Sequence, residues 1–475
     1  MRVMLVNPRP LWDRLGPMER FSPAIPPLGV VWPATVLNRA GHTVAVVDQH
    51  ALKMDTAGLM ANVRRFNPRL IGFSALTFAM DGVEDAVAAV RSQLPHTRIV
   101  LGNLHAAVFH KELVARRIAD FVIRCEGEDA LLRLVNALEK GHDADGIPGI
   151  TWFDGKDIIV NPDGPDLDMA TLPVPDWSLV SGIRYEAFRI RRFDAGPLPA
   201  AVQASRGCQF QCRFCSQNIM HRRLRTRPVP LVVREISALH EKLGVTALGF
   251  VDSNFPPTRS YGLEFATAMK AAGLHRSVRW FTELRLDMAD EELIRECASA
   301  GMALVQFGVE SGNRDVLAAM GKSQGCRDLA APFAWCRANG VLTVGLFVIG
   351  MPGETEQQIE ETIASALALD PDLAKFSVAT PYPGSGLWHD HLDALKDAAY
   401  HKFSGWLDPH TGGAHLLEPW TLPSARLAAL QRSAMRRFYA RPRKLARLFA
   451  GGLIRPATLL QGVGSLIKAR RNRIK

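Results

Sequence analysis

Apolar and polar positions follow two different periods along residues 1–140. Short apolar runs at Val3–Val6, Thr43–Val47, Leu70–Ser74, Ile99–Gly102 and Phe121–Arg124 have the length and composition of strands. Between them, Leu28–Ala40, Leu59–Phe66, Gly82–Leu94, Lys111–Ile118 and Ala130–Lys140 repeat apolar residues at helical spacing. Strands alternating with helices predict a Rossmann-like parallel sheet with helices on both faces. Ligands of such sheets sit outside the carboxyl ends of the strands. Those ends carry Asn7, Asp48, Ser74, Gly102, His105, Glu126 and Glu128.

Residues 141–195 are rich in Pro, Gly and Asp and read as a linker, with a small hairpin of Ile150–Phe153 and Ile158–Val160 around Asp154-Gly155. From Ala200 the strand–helix alternation resumes as six units. Their strands are Ala200–Ser205, Ala247–Asp252, Val278–Leu284, Ala303–Glu310, Val341–Ile349 and Lys375–Thr380. Six units suit an open, partial (β/α) barrel, with functional residues at the carboxyl ends of its strands. The predicted organisation is an α/β domain at 1–140, the linker at 141–195, the partial barrel at 196–395, and a helical, basic segment at 396–475. At 475 residues the chain is too long for one ordinary core.

Charge and cysteine content change this picture in two ways. The chain carries +10 overall, yet residues 424–475 hold 14 Lys and Arg and no Asp or Glu, which leaves about −4 on the remainder. The basicity is therefore a property of the tail. The seven cysteines form no disulfide framework, and the amino terminus has no secretory apolar region, so a reducing cytoplasm is expected.

Three of those cysteines, Cys208, Cys212 and Cys215, lie in the run SRGCQFQCRFCSQ with CxxxCxxC spacing. A protein-held 4Fe-4S cluster normally takes four cysteine thiolates. Three thiolates from one loop leave one iron with an open coordination site. A structural zinc site asks for a fourth Cys or His, and His221 lies six residues beyond Cys215.

This loop, with Phe214 before its last cysteine, resembles the cluster loop of radical S-adenosylmethionine (SAM) enzymes. The barrel strand ends VDSNF, ELRLD, GVESG, GMPGE and PYPG, together with the stretches NPRP, PPLGVVWPATVLNRAGHTVAVVD, IGFSALT, LGNLHAA and CEGEDALLRLV, are similar to cobalamin-dependent members of that family. The resemblance spans about residues 1–395. It implies an enzyme holding a 4Fe-4S cluster, SAM and cobalamin, in which SAM chelates the open iron and reductive cleavage gives a radical that removes a substrate hydrogen. The common outcome is methyl transfer to an unactivated carbon of a small substrate, and the apolar, basic tail suggests a lipophilic one. Cysteines 208, 212 and 215 would ligate iron. Phe214 would shield the adenine, Arg285 would hold the SAM carboxylate, Glu310 would accept from ribose hydroxyls, and Tyr382 would face substrate. Ser74, Gly102, His105, Glu126 and Glu128 would contact cobalamin. Arg206 and Arg213 beside the cysteines would balance cluster charge.

Cobalamin domains that ligate cobalt through histidine carry DxHxxG after the first strand. Here Asp48-Gln49-His50 follows the second strand and Lys53 replaces the glycine, so cobalamin without a protein histidine is expected and His50 is read as a surface residue. An electron donor such as flavodoxin or ferredoxin is implied. The basic tail fits peripheral contact with an anionic membrane or a helical cap on the barrel. Nucleic acid is disfavoured, because no aromatic platform accompanies the charge. The alternatives are a radical cyclase or rearrangement enzyme, a membrane- or nucleic-acid-associated cofactor sensor, and a docking domain at 1–140 that has lost its ligand.

Overall fold

Five of the apolar runs form parallel strands of one sheet. In the computed structural model, which describes residues 1–9, 25–183, 185, 200–220, 223–322, 328–395, 398, 400, 403 and 422–453, they are β1 (Arg2–Asn7), β2 (Thr43–Asp48), β3 (Leu70–Ser74), β4 (Arg98–Gly102) and β5 (Phe121–Ile123). The helices between them are α1 (Leu28–Arg39), α2 (Gln49–Leu52), α3 (Thr56–Phe66), α4 (Met80–Gln93), α5 (Leu104–Val108), α6 (His110–Ala115) and, after β5, α7 (Gly127–Glu139). One face of the sheet packs Met4, Ile71, Phe73 and Leu101 against α3 and α4 residues such as Leu59 and Val83. The other packs Leu5, Val100 and Phe121 against Leu37, Leu131 and Leu134.

The hairpin assigned to the linker belongs to this sheet. Strands β6 (Ile150–Phe153) and β7 (Ile158–Val160) extend it antiparallel, giving seven strands in the order β2-β1-β3-β4-β5-β6-β7. The reason is the exposed side of the three-residue β5, which β6 covers with the register Val122↔Thr151 and with Ile150 and Trp152 buried. The chain then runs along α1, where Trp32 Nε1 donates to Pro173 O at 2.7 Å and Asp176 N donates to Thr35 Oγ1 at 2.8 Å.

The second sheet has six parallel strands in sequence order: β8 (Ala200–Val202), β11 (Ala247–Phe250), β12 (Arg279–Arg285), β13 (Met302–Glu310), β14 (Leu342–Ile349) and β15 (Leu373–Val378). The two outer strands do not pair, so the barrel is open. Its crossover helices are α8 (Val229–Leu243), α9 (Arg259–Ala271), α10 (Glu291–Ser299), α11 (Arg314–Ala319), α12 (Ala331–Ala338) and α13 (Glu356–Leu369). The expected strand Ala200–Ser205 breaks in two. Beyond β8, β9 (Ser205–Arg206) leaves the sheet and pairs antiparallel with β10 (Arg225–Thr226). The buried Asp252 carboxylate holds that bend by accepting from Ala204 N at 3.1 Å and from the backbone and hydroxyl of Ser205.

After the short helices α14 (Gly386–His389) and α15 (Leu392–Leu395), α16 (Ser424–Tyr439) covers the β15 edge, and α17 (Pro442–Ala450) binds the turn at Asp370 and Pro371 that precedes it. Leu427, Leu430, Ala434 and Phe438 enter the barrel core. Tyr439 Oη donates to Ala374 O at 2.8 Å and accepts from Ala374 N at 2.9 Å. The basic side chains here are largely ion-paired. Asp370 binds Arg441, Lys444 and Arg447, while Arg426 pairs with Glu356 and Arg437 with Glu360. The first part of the tail is thus the barrel cap, and residues 454–475 lie outside the described residues.

Candidate functional site

Two neighbouring regions hold the predicted site residues. The first is the cysteine loop. It begins at Gly207, whose φ of +84° and closeness to Arg223 O, 2.2 Å from where a Cβ would sit, admit only glycine. Arg213 N donates to Met320 O at 2.9 Å and Leu387 N to Arg213 O at 2.8 Å, which ties the loop to the ends of two barrel units. Phe214 packs with Val316, Met351, Ala379 and Leu387, so it anchors the loop as well as flanking it.

Burial pushes the Cys212 thiol up, opposed by Lys322 and Arg285, and pushes Cys215 up to about 11. The three thiols are within electrostatic reach of one another. Among the described residues no three His, Cys, Asp or Glu side chains form a closed metal-holding group. The donor set still suits iron–sulfur ligation, since soft thiolates bind such clusters and cations beside them favour the thiolate.

Arg285 ends β12 beside this loop. Its Nη1 lies 3.5 Å from Cys212 Sγ, and its guanidinium stacks 3.7 Å from the Phe210 ring centroid. Asp287 already takes a bidentate pair from it, at 2.9 and 2.6 Å, which limits its freedom for a SAM carboxylate. Glu310, at φ +63° where the β13–β14 register shifts, accepts from Lys322 Nζ at 2.8 Å. Lys322 is buried and also donates to Gly308 O at 2.6 Å. Sequence reading did not single out this lysine; its signal was a basic residue directly after the helix-ending Gly321.

Glu354 organises the glycine turn after β14, accepting from Gly350 N at 2.5 Å and Met351 N at 2.9 Å, with burial pushing its carboxyl up to about 7. Tyr382 is half-buried in the loop after β15. Asp252, also pushed up to about 7 by burial despite its donors, supports the loop from below.

The second region is a cavity of about 680 Å³ at the carboxyl edge of the first sheet. Ser74, Gly102, Glu126 and Glu128 line it, together with Asn7, Trp32, Asn103 and, from the barrel side, Gln203, Arg206 and Val251. Its size is within the roughly 300–1,000 Å³ of small-molecule and cofactor sites. An added Cβ at Gly29 or Gly102 would meet nothing within 4 Å, so both glycines open onto free space. Exposed Ile25 and Phe78 at the lining give it an apolar rim. These features fit a large, flat cofactor with a polar periphery.

Three expectations change here. His105 is not among the lining residues. It is buried with Nδ1 3.1 Å from Thr77 Oγ1 and its ring against Phe109 and Tyr400, and burial, then Arg116, lowers its pKa to about 3. It is a core histidine because α5 turns it away from the strand tips. His50, read as a surface residue, lines the cavity. Arg206 pairs with Glu126 and Glu128 instead of balancing cluster charge, and Arg213 pairs with Asp390. Burial would raise Glu126, but Arg225 and Arg206 hold it down at about 2.

The family comparisons agree with this division. A B12-binding domain model matches residues 18–135 and a radical SAM superfamily model matches residues 202–366. An uncharacterized methyltransferase of Pyrococcus horikoshii is 29% identical, with 88% of this chain and 89% of the relative covered. An anaerobic magnesium-protoporphyrin IX monomethyl ester cyclase of Cereibacter sphaeroides is 27% identical over 92% of this chain and 70% of its own. The radical SAM methyltransferase TsrM of Kitasatospora setae, solved with cobalamin and a [4Fe-4S] cluster, superposes with a TM-score of 0.68 at 18% identity, covering 96% and 89% of the two chains. With a B12-binding domain before a radical SAM domain, and the cysteine triad on the loop that follows the first strands of the barrel, the chain has the domain pair of the cobalamin-dependent radical SAM enzymes.

Proposed function

We propose that this chain is a C-methyltransferase that acts on an unactivated carbon of a small molecule. The observation that carries the reading is a shared wall. Arg206, two residues before Cys208, lines the cavity of the first sheet, so the cluster loop and the cobalamin cavity adjoin. When bound, the three cofactors supply the radical that takes hydrogen and the methyl group that replaces it.

The residues of the chain do the positioning. Cysteines 208, 212 and 215 would hold iron on a loop pinned at Arg213. The Glu354-ordered turn presents the Gly350–Gly353 backbone, and Lys322 with Glu310 gives a buried polar pair beside the loop. Along β12, β13 and β15, Glu283, Gln306 and Lys375 occupy the face away from the helices, with Gln306 Nε2 3.5 Å from Glu283 Oε1. Substrate would lie against that face next to the cysteine loop, with Tyr382 on the loop after β15 turned toward it.

A one-electron donor such as flavodoxin or ferredoxin would reduce the cluster. No helix among the described residues is long and apolar enough to cross a membrane. A cytoplasmic enzyme whose residues 454–475 touch an anionic lipid surface fits the six Lys and Arg there.

The test is anaerobic reconstitution with iron, sulfide and hydroxocobalamin. The reading expects about four irons and near one cobalamin per chain, reductive formation of 5'-deoxyadenosine, and transfer of labelled methyl from SAM to a product carbon. The cyclase relative supports a second reading, ring formation with the same cofactors. Substrate oxidation without incorporated label would favour it.

A further inference from the structure

Three buried charges and a fourth, half-buried one join the first sheet to the cysteine loop, and their arrangement is more specific than stability asks for. Arg206 on β9 sends Nη2 to Glu128 Oε1 at 2.5 Å and Nη1 to Glu128 Oε2 at 3.2 Å and to Glu126 Oε1 at 2.8 Å. Arg225, its direct β10 partner, sends Nη1 to Glu126 Oε2 at 2.8 Å and Nη2 to Glu126 Oε1 at 3.1 Å. The same Nη1 donates to Leu167 O at 2.7 Å, and Leu167 N donates to Glu126 Oε2 at 2.8 Å, which brings the linker into the network. The Trp32 ring covers the Arg206 guanidinium at 5.1 Å. Arg206, Glu126 and Glu128 side chains are each at most 8% exposed, and Arg225 is 17% exposed.

Taking such charges out of water costs several kcal/mol per ion, and apolar residues of similar volume often serve stability as well or better. What the ion network adds is geometry. The planar guanidinium fork matches a carboxylate in one orientation only. Both ends of the network belong to site elements. Glu126 and Glu128 start α7, whose Gly127 and Leu131 line the cavity with them. Arg206 leads directly into Gly207, where the left-handed backbone packed on Arg223 leaves no slack before Cys208.

We propose that Arg206 and Arg225, clamped on Glu126 and Glu128, are positioning residues that fix the cluster loop relative to the cobalamin cavity. They set the separation and orientation of the two cofactors and not the loading of either one. The proposal rests on the functional reading above, since it needs both cofactors to be bound.

The test uses the full chain reconstituted anaerobically with cluster and hydroxocobalamin, then reduced so that cluster and cob(II)alamin are both paramagnetic. The readout is the electron spin–spin coupling between them, beside iron and cobalamin content. Arg225→Gln and Arg225→Lys should load both cofactors at the parental ratio and lose the resolved coupling, with the lysine losing less. Arg206→Lys gives a second break on the other side of the hairpin; because Arg206 also lines the cavity, its coupling is read in the cobalamin-loaded fraction, where it should be lost as well. Parental coupling in the cobalamin-loaded fraction of Arg225→Gln and Arg206→Lys overturns the proposal. Loss of cobalamin in step with coupling, with parental coupling in the loaded fraction, also overturns it and leaves a structural role. A parent chain that binds no cobalamin sinks the functional reading itself and this proposal with it, so the two failures are distinct.

Discussion

The two parallel sheets share one strand–helix alternation but offer ligands different places. In the first, β3 buries its first four residues and β4 its middle three, because helices cover both faces. Only the strand tips are free, and the cavity lies there, at the point where the order β2-β1-β3 reverses direction. In the second, β14 alternates buried and half-buried residues along its length. Helices cover one face, and the other carries Glu283, Gln306 and Lys375. Covering both faces confines a ligand to the edge; covering one leaves a second face along the strands, apolar on β14 and polar at Glu283, Gln306 and Lys375. The cysteine loop leaves the second sheet at the side where it meets the edge of the first.

Separating the two regions chemically is the strongest test of this contrast. Replacing Cys208, Cys212 and Cys215 together by alanine should remove the cluster iron and abolish 5'-deoxyadenosine formation, while cobalamin content stays at the parental level. Iron analysis and product chromatography read it, and unchanged iron content would break the assignment. The converse is Gly102→Phe. Its side chain would enter open space at the first sheet's edge. Cobalamin affinity should fall by about tenfold or more, some 1.4 kcal/mol, with the cysteine loop still loaded. Equal cobalamin titrations of parent and variant would move the cofactor elsewhere.

Asp252 separates the sheets by pH. Burial raises its folded-state pKa to about 7, above the usual carboxylate value. The folded state therefore keeps a proton that the unfolded chain has lost, and stability declines as pH rises from about 4 to 7. The slope contributed is at most about 1.4 kcal/mol per pH unit. Asp252→Asn removes the ionisation, so urea unfolding of the apo-protein should show a flatter profile across that window. Parallel profiles would mean that Asp252 is ionised in the fold.

Smaller still is the edge of the second sheet. Tyr439→Phe removes both hydrogen bonds to Ala374 and should cost about 1 kcal/mol in thermal unfolding. No change would mean that apolar contact and the Gln431 Nε2 bond to Phe376 O at 2.8 Å hold α16 on β15 without it. The smallest expected effect belongs to His50. His50→Ala should leave the cob(II)alamin spectrum unaltered. Coupling present in the parent and absent from the variant would make this cavity-lining residue the axial ligand.

The sequence by itself determined the strands, the helices and the identity of the cluster ligands proposed here. Strand and helix periods are local, and CxxxCxxC is a covalent spacing. The tips bearing Ser74 and Gly102 follow from where strands end, and they line the cavity as that rule requires.

What the tertiary structure decided are relations between distant segments. Glu126 and Arg206 are 80 residues apart, and nothing in either local pattern marks them as partners. The same holds for Lys322 under Glu310 and for Asp370, which gathers three cations of the tail. His105 stands near a strand end in sequence, yet the turn of α5 buries it behind the sheet. The β6–β7 hairpin reads as a connector until the open side of β5 is seen to need a neighbour. Local periodicity records which face of an element is apolar. The partner of a buried charge, and which edge remains open, depend on how the elements pack, because desolvation and ion pairing act through space and not along the chain.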